Sequence, residues 1–361
     1  MPGRRHIGVI IAVVMLLAAC GGPGATTPAS TEVKAVKAVL PTGGPSVLYY
    51  PFFVGQEMGY FEEEGIEITV EGGAGAGAAI QQLIAGNADI AAVTPAAALN
   101  AAAEGFELEW LYTYMKVFLF GIVVPADSDI QTIEDLAGKT IGISEPGGGE
   151  VPILRGMLAN AGLEEGTDVT LLPVGEGGAL TVTNFEDGTI DAYSSSFVDI
   201  LGVQNAGSEL RDITPEDIRA FPSNGIVMLA ERFESDPDLA GRFLRAIAKA
   251  THFAQANPDA AAAIMPDYAP EQFTDPEFGR SLLDEILRRT VLPASDEGQY
   301  GRPASREGWE RLVEFLSAGT VEEGALAGPV DLDALIEDSQ LEAANDWDRS
   351  AVESDAEGYG E

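Results

Sequence analysis

A glycine-rich segment, EGGAGAGAAI at residues 71–80, contains the spacing of a dinucleotide-binding loop, Gly73-x-Gly75-x-x-Ala78. In such a loop the glycines permit a tight turn and a close approach of the backbone to a pyrophosphate. The motif also needs an acid at the carboxyl end of the next strand, where it reaches a ribose. The nearest candidate, Asp89, begins its strand and would lie at the opposite edge of the sheet. The segment is therefore predicted to be a strand-to-helix turn whose exposed N–H groups can bind any polar ligand group.

The chain carries few side chains suited to covalent catalysis or metal binding. Cys20 is the only cysteine, and His252 is the only histidine beyond the first residues, so no zinc-ligand spacing exists. Ser194, Ser195 and Ser196 form a run that has no Gly-x-Ser-x-Gly motif around it. We expect these serines to make a turn or to donate hydroxyl groups to a ligand. Catalytic residues, metals and cofactors are not predicted.

Alternating strand and helix patterns predict the scaffold that positions these groups. GIEITVEGG at residues 65–73 has the period of two of a strand, and AAIQQLIAGNA at residues 78–88 has the one-sided apolar face of a helix. Thr94 and Pro95 are typical first residues of a further helix. A similar order begins again near residue 127. This alternation predicts an α/β fold with parallel or mixed sheets and helices on both faces.

The composition is that of a globular protein with a strongly acidic surface. At 361 residues and 46% apolar content, the chain is long enough for two lobes with their own cores. Its 58 acidic and 20 basic residues give a formal charge of −38. Such a charge repels nucleic acid and anionic lipid surfaces. Nucleic-acid binding is therefore excluded, and the acidity indicates a solvated surface.

The N-terminus has the pattern of an export signal. Arg4 and Arg5 precede an apolar run at residues 7–19 that is short for a membrane span but has the length of a signal-peptide core. The small residues before Cys20 resemble a bacterial lipoprotein signal, in which the cysteine receives a lipid and becomes the mature N-terminus. We expect a signal peptide at residues 1–19 and a flexible tether, starting at lipidated Cys20, over residues 20–34. The alternative is an ordinary signal peptide with an incidental cysteine.

Three segments further along carry a family likeness. They are YYPFFVGQEMGYFEEEGIEITVEGG at residues 49–73, IQQLIAGNADIAAVTPAAAL at residues 80–99, and FGIVVPADSDIQTIEDLAGKTIGISEPGG at residues 120–148. Their pattern is G-Y-F-x-x-x-G-I-x-[IV], then Q-x-L-I-A-G-N-A-D, then D-L-x-G-K-x-I-G-I. It resembles that of the SsuA/THI5-like (NMT1-like) solute-binding proteins of ABC importers. The resemblance covers roughly residues 36–265.

The resemblance implies a periplasmic-binding-protein-like fold, in which two α/β lobes are joined by two crossings that form a hinge and bind a ligand in the cleft between them. The first part of lobe 1, lobe 2, and the second part of lobe 1 with the C-terminal helices are expected at residues 35–124, 125–222 and 223–345. The crossings would fall near residues 122–126 and 222–227. We expect the acidic tail at residues 346–361 to be frayed.

The resemblance also implies how the protein would act. A solute that touches both lobes favours the closed form, and an ABC permease can then recognise closure. We expect a monomeric, lipid-anchored receptor on the outer face of the cell membrane, with a small organic solute and permease subunits as its partners. Members of the family handle sulfonates, nitrate, taurine and thiamine-pyrimidine precursors. The alternatives are an enzyme of the thiamine-pyrimidine-synthase type on the same fold and a surface sensor without transport.

Candidate ligand residues lie in loops that should end at the cleft. Glycines are expected to bring backbone donors close to the solute, tyrosines to stack on it or to pack in the core, and Lys116 is the lone cation of these loops. The candidates are Gly43, Gly44, Tyr49, Tyr50, Gly75, Thr94, Pro95, Tyr114, Lys116, Gly147, Gly148, Ser195 and Asn224. Glu145, Glu150, Glu176 and Asp199 near the mouth favour a neutral, zwitterionic or amine-bearing organic molecule over nitrate or sulfate.

Overall fold

In the part of the chain that the structure describes, ten β-strands form the centre. The computed structural model describes residues 33–290, 298–318 and 326–360, so the predicted signal peptide and Cys20 lie outside the described residues. The strands are β1 (Lys34–Leu40), β2 (Ile66–Gly72), β3 (Ile90–Val93), β4 (Leu108–Thr113), β5 (Phe120–Pro125), β6 (Thr140–Ile143), β7 (Thr170–Pro173), β8 (Ala192–Ser196), β9 (Leu210–Asp212) and β10 (Gly225–Leu229).

These strands build two mixed sheets, with the orders β2-β1-β3-β10-β4 and β7-β6-β8-β5-β9. In the first sheet β1 runs parallel to β2 and β3, and in the second β6 runs parallel to β7 and β8. The antiparallel strands are β10, between β3 and β4, and β5, between β8 and β9. We call the part built on the first sheet lobe 1 and the part built on the second lobe 2. The predicted α/β fold with two lobes is confirmed.

Helices surround both sheets. They are α1 (Tyr50–Glu57), α2 (Tyr60–Glu63), α3 (Gly75–Ile84), α4 (Pro95–Ala103), α5 (Val151–Asn160), α6 (Ala179–Glu186), α7 (Phe197–Asn205), α8 (Ala230–Ser235), α9 (Pro237–Ala256), α10 (Pro258–Ile264), α11 (Pro276–Thr290), α12 (Arg306–Leu316), α13 (Leu332–Leu335), α14 (Leu341–Ala344) and α15 (Arg349–Gly358). Side-chain caps fix several of the starts; for example, Thr94 Oγ1 accepts the N–H of Ala97 and Asp236 Oδ1 accepts that of Leu239, each at 3.2 Å. Within the described residues, no helix has both the length and the apolar character needed to cross a membrane.

The acidic tail is ordered, so the prediction that it is frayed is wrong. Helix α15 lies in this tail and packs against α9. Val352 and Ala356, four residues apart, are both buried and form an apolar stripe on one face of the helix. The Asn257 side chain also donates a hydrogen bond to the Ala356 carbonyl oxygen at 2.7 Å. The Tyr60 hydroxyl donates to Asp355 Oδ2 at 3.2 Å, and the rings of Phe253 and Tyr359 pack edge-to-face. Polar and aromatic contacts therefore dock this acidic segment together with the apolar stripe.

The chain passes between the lobes twice, through residues 114–119 and residues 213–224. The predicted first crossing at residues 122–126 is wrong, because Ile122 and Val123 pair with Ser194 and Tyr193 inside the second sheet. Lobe 2 therefore begins near residue 120. The two passages contact each other, since the Asn224 carbonyl oxygen accepts the N–H groups of Tyr114 and Met115 at 3.2 and 3.3 Å.

Candidate functional site

A cavity of about 890 Å³ lies between the lobes. Lobe 1 lines it with the segments that follow β1, β2 and β3, and lobe 2 with those that follow β6, β7 and β8. Asn224 of the second crossing and residues 268–272 complete the wall. The cavity thus lies at the carboxyl ends of the parallel strands of both sheets, where ligands of α/β proteins bind.

Glycine-rich loops bring the lobes into contact at the edge of this cavity. Gly75 of lobe 1 has φ of +87°, and a Cβ atom added there would lie 2.1 Å from the carbonyl oxygen of Gly147 of lobe 2. A Cβ atom at Gly149 would lie 2.5 Å from Cγ2 of Thr94, again across the cleft. Side chains at these positions would hold the two backbones apart. The glycines therefore permit the closed arrangement of the lobes.

Several predicted ligand residues do line the cavity. They are Gly43, Gly44, Tyr49, Gly75, Thr94, Gly148 and Asn224. Tyr49 is 2% exposed, so only the edge of its ring is open to a ligand. Leu48, Leu119, Phe120 and Val198 add apolar surface to the same cavity.

Tyr50 and Lys116 lie away from the lining, contrary to prediction. Tyr50 is fully buried, and its hydroxyl is 3.3 Å from Oγ1 of Thr290. Because consecutive residues at a helix start point in different directions, Tyr49 reaches the cavity while Tyr50 enters the core. The Lys116 ammonium donates a hydrogen bond to the carbonyl oxygen of Arg302 at 2.7 Å. It is therefore drawn toward the C-terminal part of lobe 1.

The four remaining predicted residues support the lining from behind. Tyr114 is buried and packs edge-to-face on Tyr49, with ring centroids 6.2 Å apart. Pro95 is in the first turn of α4, Gly147 makes the interlobe contact described above, and Ser195 Oγ donates to Asp199 Oδ2 at 2.6 Å. The direct contact with a ligand that the sequence predicts for these four residues stays a prediction.

Carboxyl groups dominate the polar lining. Glu145, Glu150, Glu176 and Asp199 come from lobe 2, and Glu271 comes from the 3₁₀ turn Pro270–Phe273. None of the described lining residues is a lysine, arginine or histidine. Within the described part of the chain, none of these five carboxyl groups forms an ion pair. As far as the described lining goes, the cavity is therefore an acidic space without a counter-charge.

Desolvation raises the pKa of the four carboxyl groups of lobe 2. Glu150 is 2% exposed, and desolvation raises its pKa to about 7, although Ser144 donates both its N–H and its hydroxyl to Glu150 Oε1. Desolvation also raises the pKa of Asp199, opposed by the hydroxyl groups of Ser195 and Ser196. The pKa of Glu176 is raised by desolvation and then by the charge of Asp199. The closed cavity thus disfavours unneutralised negative charge.

The Asn224 side chain adds an unpaired polar group. It is 1% exposed, and neither its amide nitrogen nor its amide oxygen has a hydrogen-bond partner among the described residues. The Tyr114 hydroxyl beside it also has no partner with hydrogen-bond geometry among the described residues, and desolvation raises the pKa of Tyr114. Leaving a buried amide unpaired is costly. Its position at the cavity suggests a polar ligand group as the partner.

Sequence reasoning did not find the contribution of residues 268–272. Gln272 Oε1 accepts the N–H of Val47 at 2.7 Å, and its amide nitrogen donates to Ser46 Oγ at 3.2 Å. These contacts attach a C-terminal segment to the loop after β1, although 225 residues separate Val47 from Gln272. No local pattern around Gln272 indicates this contact, because it arises only in the folded chain. Across the described residues, no three histidine, cysteine, aspartate or glutamate side chains are grouped to hold a metal ion.

A family model described as "NMT1/THI5 like" matches residues 48–261. The chain belongs to the NMT1/THI5-like family. The recognition made from the three sequence motifs is thereby confirmed, and the family match spans parts of both lobes.

Similar proteins include binding proteins for different solutes. The riboflavin-binding protein RibY of Chloroflexus aurantiacus is 26% identical over 348 residues, which cover 92% of this chain and 96% of RibY. A putative aliphatic sulfonates-binding protein of Bacillus subtilis is 25% identical over 294 residues, covering 80% of this chain and 83% of that protein. The alkanesulfonate-binding protein SsuA of Xanthomonas axonopodis pv. citri, solved with MOPS bound, superposes with a TM-score of 0.63 at 15% identity, covering 86% of this chain and all of SsuA. The predicted periplasmic-binding-protein-like fold is therefore confirmed.

Proposed function

We propose that the protein is the solute-binding component of an ABC importer and that it captures a small organic solute without net negative charge. The observation that carries this proposal is the interlobe cavity, whose described lining contains five carboxyl groups and no basic side chain. A solute bound by both lobes stabilises their closed arrangement. A permease that recognises this arrangement then receives the solute.

The lining is poorly suited to nitrate, sulfate or a sulfonate. Such anions are bound by basic side chains or by free N–H groups at helix N-termini. At α7, the N–H of Asp199 already donates to Ser196 Oγ at 3.2 Å. At α5, the position before the helix is occupied by the Glu150 carboxyl group, which accepts the N–H of Ser144 at 2.9 Å. Of the solutes in the names of the relatives, the uncharged heterocycle riboflavin fits this electrostatic environment better than a sulfonate.

A binding role also fits the side chains better than an enzymatic one. The lining has no histidine or cysteine among the described residues. His252 lies in α9, where its Nδ1 is 2.8 Å from the Tyr300 hydroxyl and its ring packs edge-to-face on Trp347. Both the hydrogen bond and the ring contact are those of a packed structural histidine. We therefore propose binding without a chemical step.

The N-terminal motif supports attachment to the outer face of the cell membrane through a lipid on Cys20, and we propose that the receptor is a monomer. Cells expressing the full chain with an azide-bearing fatty acid should yield labelled protein in the membrane fraction. The matched variant Cys20→Ser should remain unlabelled. Equal labelling of both would contradict lipidation at Cys20 and leave the cavity proposal untouched.

Native mass spectrometry of protein purified without refolding tests the main proposal. We expect a retained organic molecule that is released on denaturation and that binds again in a calorimetric titration. Nitrate and sulfate should give no heat of binding. Tight binding of either anion, with no organic molecule retained or rebound, would refute the proposal.

A further inference from the structure

The polarity of the cavity differs between the lobes, and this difference specifies the ligand further. Four of the five carboxyl groups belong to lobe 2, whereas Leu48 and Tyr49 of lobe 1 form an apolar wall. We infer that the cavity selects an organic cation, such as an amine or amidine, whose charged end contacts the carboxyl groups of lobe 2 while its apolar body packs on lobe 1. This inference rests on the proposed function and names the charge and orientation of the solute.

Asp199 is the best-positioned partner for the charged end. Its Oδ2 accepts the hydroxyl groups of Ser195 and Ser196, each at 2.6 Å. These two bonds fix the carboxylate. Asp199 also contributes to the raised pKa of both Glu176 and Glu150. The three groups therefore interact electrostatically, and a cation bound at Asp199 also favours the ionised forms of Glu176 and Glu150.

Asn224 provides an independent indication of a ligand at this place. Its carboxamide is buried at the same cavity, and its donor and acceptor atoms are both unpaired among the described residues. One N–H group of an amine or amidine can donate to the amide oxygen of Asn224 while its other N–H groups donate to the carboxyl groups. A purely apolar solute would leave the carboxamide unsatisfied.

The arrangement favours an organic cation over a metal ion. A metal needs several oxygen ligands within about 2.6 Å of one point, and in the described part of the chain no three acidic, histidine or cysteine side chains are grouped in that way. The cavity volume of about 890 Å³ is also large for an ion, and its apolar wall offers contacts to a carbon skeleton. An ammonium or amidinium group satisfies separated carboxyl groups through several N–H donors.

Probes that share an apolar body and differ in the charge of one polar group can test the inference by titration calorimetry on the full chain. The first set is benzamidine, benzamide and benzoate, and the second is tryptamine, indole-3-propionamide and indole-3-propionate. We expect the cation of at least one set to bind 10-fold or more tightly than its neutral and anionic counterparts. Asp199→Asn should remove most of this preference and leave the affinity for the amide probes unchanged.

Two further variants control for folding and for general charge effects. Glu176→Gln changes an exposed carboxyl group at the mouth and should also lower cation affinity, by at least 3-fold, with an unchanged melting temperature. Asp187→Asn makes the same charge change on an exposed position of lobe 2 outside the lining and should bind the cations like the wild type.

The possible results separate this inference from the proposed function. Equal or tighter binding of the neutral or anionic member in both sets would overturn the inference. Cation binding that neither Asp199→Asn nor Glu176→Gln weakens would also overturn it. So would an uncharged retained solute in a protein that binds none of the cationic probes. In each of these cases the protein still binds a solute, so its role as a solute-binding component survives. Tighter binding of the anionic members would in addition overturn the proposal that the solute has no net negative charge. If no probe binds and no solute is retained, both fail.

Discussion

Replacing Gly149 by alanine should hold the lobes apart without unfolding either one. Gly149 precedes α5, and its backbone is not in the left-handed region, so an alanine fits the local conformation. The added methyl carbon would lie 2.5 Å from Cγ2 of Thr94 across the cleft and 2.9 Å from Cζ of Phe120. Both distances are well below ordinary carbon contacts of about 3.5–4.0 Å.

The two contacts have different consequences for closure. Phe120 belongs to β5 of lobe 2, so its contact with residue 149 exists in the open and in the closed form. Thr94 belongs to lobe 1 and separates from Gly149 when the lobes part. Overpacking costs about 1–3 kcal/mol, and if this cost falls on the closed form alone, the solute should bind about 5- to 150-fold more weakly.

Calorimetric titration with the solute released from the purified protein would measure this loss. Thr94→Ser is the matched partner variant, because serine keeps the hydroxyl that caps α4 and lacks the methyl group that collides. The double variant Gly149→Ala/Thr94→Ser should regain most of the affinity. Wild-type affinity in Gly149→Ala would refute the reasoning. A large fall in the melting temperature of ligand-free Gly149→Ala would refute it as well, because the defect would then lie in the fold.

Three further predictions concern stability and pH. Tyr50→Ala should lower the free energy of unfolding by about 3–5 kcal/mol because this ring is fully buried. Tyr50→Phe should lower it by only about 1 kcal/mol. Urea titrations that find the two variants equally stable would contradict the core position of the ring and place it in the cleft. Glu150 favours its protonated form in the folded state, with a pKa of about 7 against the usual 4.5. Its contribution to stability, about 3 kcal/mol, should therefore be present below pH 4.5 and be lost as the pH rises toward 7; Glu150→Gln should flatten this part of the stability profile, and an unchanged slope would contradict it. Deleting residues 346–361 should lower the melting temperature, because burial of Val352 alone contributes about 1.5–3 kcal/mol; an unchanged melting curve would show that α15 adds nothing.

Local sequence patterns predicted much of the fold. GIEITVEGG became β2 and AAIQQLIAGNA became most of α3, because strand alternation and a one-sided helical face are set by neighbouring residues. The first crossing was misplaced for the opposite reason. The segment from β4 to β5 is apolar almost throughout, and nothing local shows which residues pair with which sheet.

The candidate site was predictable only in outline. The loops after the strands could be assigned to one edge of each sheet, and this placed Gly43, Tyr49 and Thr94 on the lining. Which of two adjacent tyrosines faces the ligand depends on the direction of α1 in the folded chain. The contribution of residues 268–272 depends on packing between distant segments, as does the docking of α15 on α9.

Closure of two lobes around a bound molecule is the central claim, and small-angle X-ray scattering tests it most directly. The full chain should be measured after removal of its retained solute and again after that solute is restored. We predict a smaller radius of gyration in the loaded protein, with a scattering profile that matches the closed arrangement described here. Identical profiles in the two states, under conditions where calorimetry shows the solute to be bound, would contradict the account.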